Sequence, residues 1–286
     1  MSVKIIECPR DAMQGIQTQI PTEVKIEYLN QLLMSGFDTL DFGSFVSPVA
    51  IPQMADTVRV LAGLNLEQTE TKLLAIVANS RGASDAIAYD EISYLGYPFS
   101  LSETFQQRNT RRSVASALEL VAEIQDMCLR TRKQLVVYLS MGFGNPYGDL
   151  WSADMVMEYT EKMQALGVTI VSLADTTGSA DATVIEEVYN RVIPAFPEME
   201  IGAHFHAHPN AWQAKVEAAY LAGCRRFDGA MKGFGGCPFA SDQLTGNIAT
   251  ENLIAFMQSQ NEETGVKPNQ LEACLQAANQ IFSVYH

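Results

Sequence analysis

The chain has 286 residues, 47% of them hydrophobic and 18% charged, a globular composition with ample material for a large core. Its formal net charge of −14 argues against a nucleic-acid binder, which carries a basic face, and against adhesion to anionic membranes. The five cysteines are odd in number and widely spaced, with no C-x-x-C pair, which fits a reducing compartment rather than a disulfide framework.

No signal peptide opens the sequence, because Met1 to Glu7 reads as the start of a strand. No apolar run approaches the ~20 residues of a membrane helix. The expectation is a cytoplasmic protein. An acidic chain can still bind a small anion through a few local cations, since fields are screened within ~8–10 Å. Arg10, Arg81, Arg108, Arg111, Arg112 and Lys232 are the candidates.

In chain order, strands are predicted at Val3–Glu7, Thr39–Gly43, Lys72–Ala78, Glu91–Leu95, Gln134–Ser140, Thr169–Ala174, Glu200–His206 and Arg225–Met231. Amphipathic helices are predicted between them. Thr22–Met34 carries apolar residues at helical spacing, and Arg111–Arg132 repeats the pattern through Val114, Leu118, Val121, Ile124 and Cys128. Ala182–Phe196, Trp212–Ala222 and a final helix, Gln270–Val284, follow the same rule. Pro21-Thr22-Glu23 and Ser152-Ala153-Asp154 are capping signals.

Strands alternating with helices imply a parallel sheet with right-handed crossovers. Eight such units close into a TIM barrel. An open doubly wound sheet competes, but it calls for a glycine fingerprint after the first strand, where this chain has Pro9-Arg10-Asp11. The expectation is one domain over residues 1–286. Its barrel runs from about 3 to 258, and its last helix, about 268–284, either pads the barrel or forms a homodimer contact.

In a barrel the chemistry sits where strands end at their C-terminal side. Those ends carry Arg10-Asp11, Asp41 with Ser44, Gly142 to Gly148, Asp175-Thr176-Thr177, His204-Phe205-His206, and Lys232 leading to Cys237. His204 and His206 are two apart on a strand and so share one face. With Asp11 they suit a divalent ion: Mg²⁺, Mn²⁺, Fe²⁺ or Zn²⁺. The plainer reading of H-x-H is a hydrogen-bonded pair. Arg10 can stabilise an enolate or grip a carboxylate, or be a surface ion pair. Asp41 and Asp175 can orient ligands, though Asp175 can equally cap the next helix. Cys237 sits in a glycine-rich turn, Gly233 to Ala240, that suits a reactive thiol; the other four cysteines read as core packing.

The chain resembles the 3-hydroxy-3-methylglutaryl-CoA lyase family of metal-dependent carbon–carbon lyases. The resemblance rests on Pro9 to Gln14, Ser44 to Pro48 with Pro52-Gln53-Met54, Asp175 to Gly178, His204-Phe205-His206, Gly235 to Ala240, and Gly246-Asn247. It implies a TIM barrel in which Asp11, His204, His206 and Asn247 hold Mg²⁺ or Mn²⁺. It also implies that Arg10 stabilises an enolate, that Cys237 moves a proton, and that Asp41 and Asp175 are acidic members of the site. An acyl-CoA substrate and a place in leucine and ketone-body metabolism follow. Four departures from the family pattern stand out: Ala12 for a glycine, Asp41 for a glutamate, Ala207 for Asn or Asp, and one extra residue between Cys237 and Asn247. The expected reaction is cleavage of 3-hydroxy-3-methylglutaryl-CoA to acetyl-CoA and acetoacetate. The alternatives are a lyase or aldolase for a related 3-hydroxy-acyl-CoA or 4-hydroxy-2-keto acid, and a non-catalytic barrel that binds metal or CoA.

Overall fold

The computed structural model describes residues 2–236 and 245–285. Eight parallel strands close in sequence order into a barrel. They are β1 (Lys4–Glu7), β2 (Thr39–Ser44), β3 (Lys72–Ile76), β4 (Ile92–Ser100), β5 (Gln134–Ser140), β6 (Ile170–Asp175), β7 (Glu200–Phe205) and β8 (Arg226–Gly229). The pairing of β1 with β8, from Lys4 opposite Arg226 to Glu7 opposite Gly229, closes the ring. Among the described residues no helix is long and apolar enough to cross a membrane.

The helices are α1 (Pro9–Gln14), α2 (Thr22–Leu33), α3 (Thr57–Ala62), α4 (Ser80–Ile87), α5 (Glu103–Thr110), α6 (Val114–Thr131), α7 (Ala153–Ala165), α8 (Ala182–Ala195), α9 (Trp212–Leu221), α10 (Thr250–Ser259) and α11 (Pro268–Tyr285). Ser113, Ser152 and Asp181 each accept a backbone N–H and start α6, α7 and α8. The expected cap at Thr22 is absent, because its hydroxyl donates to Asp56 Oδ2 at 2.8 Å instead. The expected helix Arg111–Arg132 forms as α6 but starts three residues late: Arg111 takes a left-handed φ of 57° and ends α5, and α6 begins after Ser113. β4 runs five residues beyond its expected end at Leu95, through Pro98, because Tyr94 to Ser100 pair with β5.

Apolar residues fill two layers. The larger lies between sheet and helices, and a smaller one inside the barrel contains Leu74, Tyr94, Val136, Tyr138 and Ile170. The rest of the interior is polar. Arg226 and Asp228 both point inward from β8, as the two-residue strand period requires. Arg226, 1% exposed, donates to Glu200 Oε1 at 3.0 Å and forms the barrel floor. α11 packs across α2, with Phe282 edge-on to Tyr28 at 6.4 Å and stacked on Phe234 at 4.2 Å, so its inner face pads the barrel.

Glu7 is fully buried on the outer side of β1. It accepts the Met231 N–H at 2.9 Å and the Thr250 hydroxyl, and so joins the end of β8 to the start of α10. Burial pushes its pKa from 4.5 to about 8, against the pull of those two bonds. The folded chain therefore keeps a proton there that the unfolded chain releases. The stability this contributes is complete below 4.5 and is lost as pH rises to about 8. Glutamine reproduces the protonated form. Glu7→Gln is expected to leave stability at pH 4.5 nearly unchanged and to raise it at pH 8 by on the order of 3 kcal/mol, given ~1.4 kcal/mol per pKa unit less relaxation. Urea melts of both proteins across that range check this; an equal change at both pH values would contradict it.

Candidate active site

Arg10 and Asp11 do not end a strand, as the sequence suggested; they lie on the short helix α1, which Pro9 starts at its first position. That turn folds Arg10 back over the barrel mouth. Its Nε and Nη2 donate to Asp41 on β2, and its Nη1 donates to Asp11 Oδ1 and Gln14 Oε1, both at 2.9 Å. A register shift between Asp41 and Gly43 marks the strand at this point, and such irregularities re-aim side chains. Asp41 is fully buried, which raises its pKa to about 6 despite Arg10. Burial also disfavours the Arg10 charge, but Asp41 and Asp11 outweigh it and fix the guanidinium as a cation.

Asp11, His204 and His206 converge from α1 and β7. One donor atom of each lies within 4.8 Å of the others. Burial opposes ionisation of Asp11, yet Arg10 foremost, then the two imidazoles, hold its carboxyl at about 2. Burial, then His204, lower His206 to about 4, leaving it neutral at physiological pH. His206 Nδ1 is buried without a hydrogen-bond partner among the described residues. His204 is different: burial lowers its pKa, but Asp228 and Asp11 outweigh this and raise it. His204 Nδ1 lies 3.1 Å from Asp228 Oδ2, which fixes the ring and turns Nε2 to the pocket. A carboxylate, an orphaned imidazole nitrogen and a carboxylate-oriented imidazole together fit a divalent metal ion.

Asn247 joins this cluster from the far side. Its Nδ2 donates to Asp11 Oδ2 at 2.7 Å and to the Phe234 carbonyl at 2.9 Å, and its backbone bridges His206. Gly235, at φ +92°, passes so close that a Cβ would sit 2.6 Å from the Asp11 carbonyl oxygen and 2.9 Å from Asn247 Nδ2. Cys237, between these two flanks, lies outside the described residues.

Asp175 does not face the pocket. Its carboxylate accepts the backbone N–H groups of Ser179 and Ala180 at 3.2 and 3.1 Å and pairs with Lys215 at 2.5 Å. Lys215 also donates to the carbonyls of Gly178 and His206, so the pair braces the end of β7 from behind. Of the other candidate cations, Arg81 lies along α4 and is 4.0 Å from Asp85, and Arg108 lies 4.7 Å over the Tyr147 ring. His208 is exposed.

The pocket these groups line has a volume of about 140 Å³. Arg10, Asp11, Gln14, His204 and His206 form one wall. Sequence reading missed Gln14, Tyr138, Lys215 and Asp228. Gln14 follows Asp11 at helical spacing, a usable signal; the others meet the site only through long-range folding. Cys8, read as core packing, is buried, yet it belongs to a second group with His204 and Asp228 inside the barrel.

Asp228 supplies a test. Asp228→Asn is expected to weaken metal binding by about 10- to 100-fold while kcat at saturating metal changes less, and Asp228→Ala to lose more. Titrating metal-stripped protein with Mn²⁺ measures this. An unchanged affinity in Asp228→Ala would remove the aspartate from the site.

The HMGL-like family profile matches residues 3–278. A hydroxymethylglutaryl-CoA lyase of Bacillus subtilis is 32% identical over 273 residues, covering 96% of this chain and 89% of its own length. A 3-hydroxy-3-isohexenylglutaryl-CoA/hydroxy-methylglutaryl-CoA lyase of Pseudomonas aeruginosa is 29% identical, covering 99% and 92%. The structure of an HMG-CoA lyase from Acinetobacter baumannii, in complex with coenzyme A and 3-methylmalate, superposes with a TM-score of 0.91 at 31% identity, covering 99% of this chain and 92% of that one.

Proposed function

Since the chain belongs to the HMGL-like family of carbon–carbon lyases, we propose that it cleaves 3-hydroxy-3-methylglutaryl-CoA to acetyl-CoA and acetoacetate by a retro-Claisen reaction. One observation carries the reading: a fixed guanidinium and a metal-ready Asp-His-His cluster share one pocket wall at the C-terminal mouth of the barrel. The coenzyme A bound to the Acinetobacter relative supports an acyl-CoA substrate.

A divalent ion, Mg²⁺ or Mn²⁺, held by Asp11, His204, His206 and Asn247 would supply Lewis acidity to the substrate's hydroxyl and carboxylate oxygens. The tertiary hydroxyl gives its proton to water, the adjacent carbon–carbon bond breaks, and its electron pair passes into the thioester, leaving the acetyl-CoA enolate and free acetoacetate. Arg10 faces that charge with the one Nη2 hydrogen that no acceptor among the described residues takes. Its other donors are held by Asp41, Asp11 and Gln14, so little reorganisation is needed as charge develops. Gln14 and Asn247 hold the Asp11 carboxylate in place. Cys237 delivers a proton to the enolate carbon: an ordinary thiol titrates near ~8.5 and is mostly protonated at neutral pH. Residues 1–286 act as one catalytic unit in the cytoplasm.

The test is product analysis. Metal-loaded protein with 3-hydroxy-3-methylglutaryl-CoA is expected to release acetyl-CoA and acetoacetate in equal amounts, and to stop on chelation. Metal-loaded protein that releases neither, but cleaves a 4-hydroxy-2-keto acid, would replace the acyl-CoA reading with an aldolase.

A further inference from the structure

A polar layer lies inside the barrel, below the metal-ready cluster. It is built from Tyr138 on β5, Ser172 on β6, and Arg226 and Asp228 on β8. Strand register places them side by side: Tyr138 stands opposite Ser172, Ser172 opposite Gly202, and His204 opposite Asp228. Gly202 leaves the space between them. A Cβ there would lie 2.9 Å from Arg226 Cδ and 3.3 Å from Ser172 Oγ, so the arginine stem and the hydroxyl meet over it. The Tyr138 ring stands edge-on to His204 at 5.4 Å.

Tyr138 Oη, Ser172 Oγ, Arg226 Nε and Nη2, and Asp228 Oδ1 are buried with no hydrogen-bond partner, and they make up half of all such side-chain atoms among the described residues. Buried polar atoms are nearly always satisfied, so a cluster of five in one enclosed layer calls for a shared occupant. The set joins donors to a carboxylate acceptor. Arg226 disfavours a cation and Asp228 an anion, whereas water both donates and accepts. Arg226 is anchored for this role, since its Nη1 donates to Glu200 Oε1 at 3.0 Å. Burial disfavours the Arg226 charge, and Asp228, ahead of Tyr138, Glu200 and Asp38, outweighs it.

Resting on the metal reading above, we infer that Arg226 is a positioning residue: with Ser172 and Tyr138 it holds Asp228 Oδ1 through buried water, which keeps Oδ2 on His204 Nδ1 and turns His204 Nε2 to the metal. One chain of hydrogen bonds then links the barrel floor to the metal at its mouth. It runs from Arg226 through water to Asp228 and on to His204.

The experiment is a double-variant cycle. Mn²⁺ is titrated into metal-stripped wild type, Arg226→Met, Asp228→Asn and the two combined. Ser172→Ala, alone and with Asp228→Asn, decides the case if Arg226→Met does not fold. Folding is expected, because Lys4 still pairs with Glu200. Arg226→Met is expected to weaken Mn²⁺ binding about tenfold, and Ser172→Ala to weaken it by less. Neither is expected to add a further loss once Asp228→Asn is in place, because both act through that carboxylate. In metal-free protein, the low-field proton resonance of His204 Nδ1–H is expected to shift in both single variants. Losses that add in full to that of Asp228→Asn, or an unchanged affinity and resonance, would overturn the inference. A resonance that shifts in a protein with no affinity for Mn²⁺ would uphold the positioning role and sink the metal reading.

Discussion

Replacing His206 with alanine is expected to lower kcat by at least ~10³-fold and to abolish the thermal stabilisation that Mn²⁺ gives the wild-type chain. The buried Nδ1 of His206 has no hydrogen-bond partner among the described residues. Burial and His204 hold the ring neutral, so a metal meets an uncharged imidazole rather than an imidazolium. In wild type, metal at 100 times its dissociation constant adds about 2.7 kcal/mol to stability. The variant retains Asp11 and His204 but loses one of two nitrogen donors. Melting curves with and without Mn²⁺ provide a readout independent of turnover. A His206→Ala protein that still gains stability from Mn²⁺ would show that the histidine is not a ligand.

Arg10→Gln is expected to lower kcat about 10²- to 10³-fold, the usual cost of losing one preorganised charge donor in a site that excludes water. It is also expected to destabilise the fold by about 3–5 kcal/mol, because Asp41 loses the cation that offsets its burial. The two effects separate in the double variant. Asp41→Asn removes the uncompensated carboxylate, so Arg10→Gln with Asp41→Asn recovers much of the stability and none of the kcat. Denaturant melts and initial rates on the single and double variants measure both quantities. Recovery of kcat together with stability would assign Arg10 a purely structural role.

The barrel was legible in the sequence because its strands are short apolar runs at regular intervals between helices, and all eight expected strands form. Boundaries failed where tertiary pairing overrode local signals. Pro98 reads as a strand breaker, yet β4 continues through it because β5 runs alongside for seven paired positions. Arg10 and Asp11 were placed in the candidate site, but their helix was not foreseen, because a six-residue helix started by proline carries no periodic signature. The Asp-His-His cluster could be anticipated from strand-end positions. Asp228 could not, because a carboxylate 24 residues from His204 meets it only once β7 and β8 are neighbours. Asp175 illustrates the reverse case. Its strand-end position matches the other acids, but Lys215, 40 residues later, turns its carboxylate into a brace.

The most direct test of a metal centre at the barrel mouth is an anomalous difference map, recorded at the manganese edge, from crystals grown with Mn²⁺. One strong peak is expected within about 2.3 Å of Asp11 and of a ring nitrogen of His204 and of His206, with Asn247 beside it. A catalytically active crystal with no peak there, or with its peak elsewhere, would contradict it.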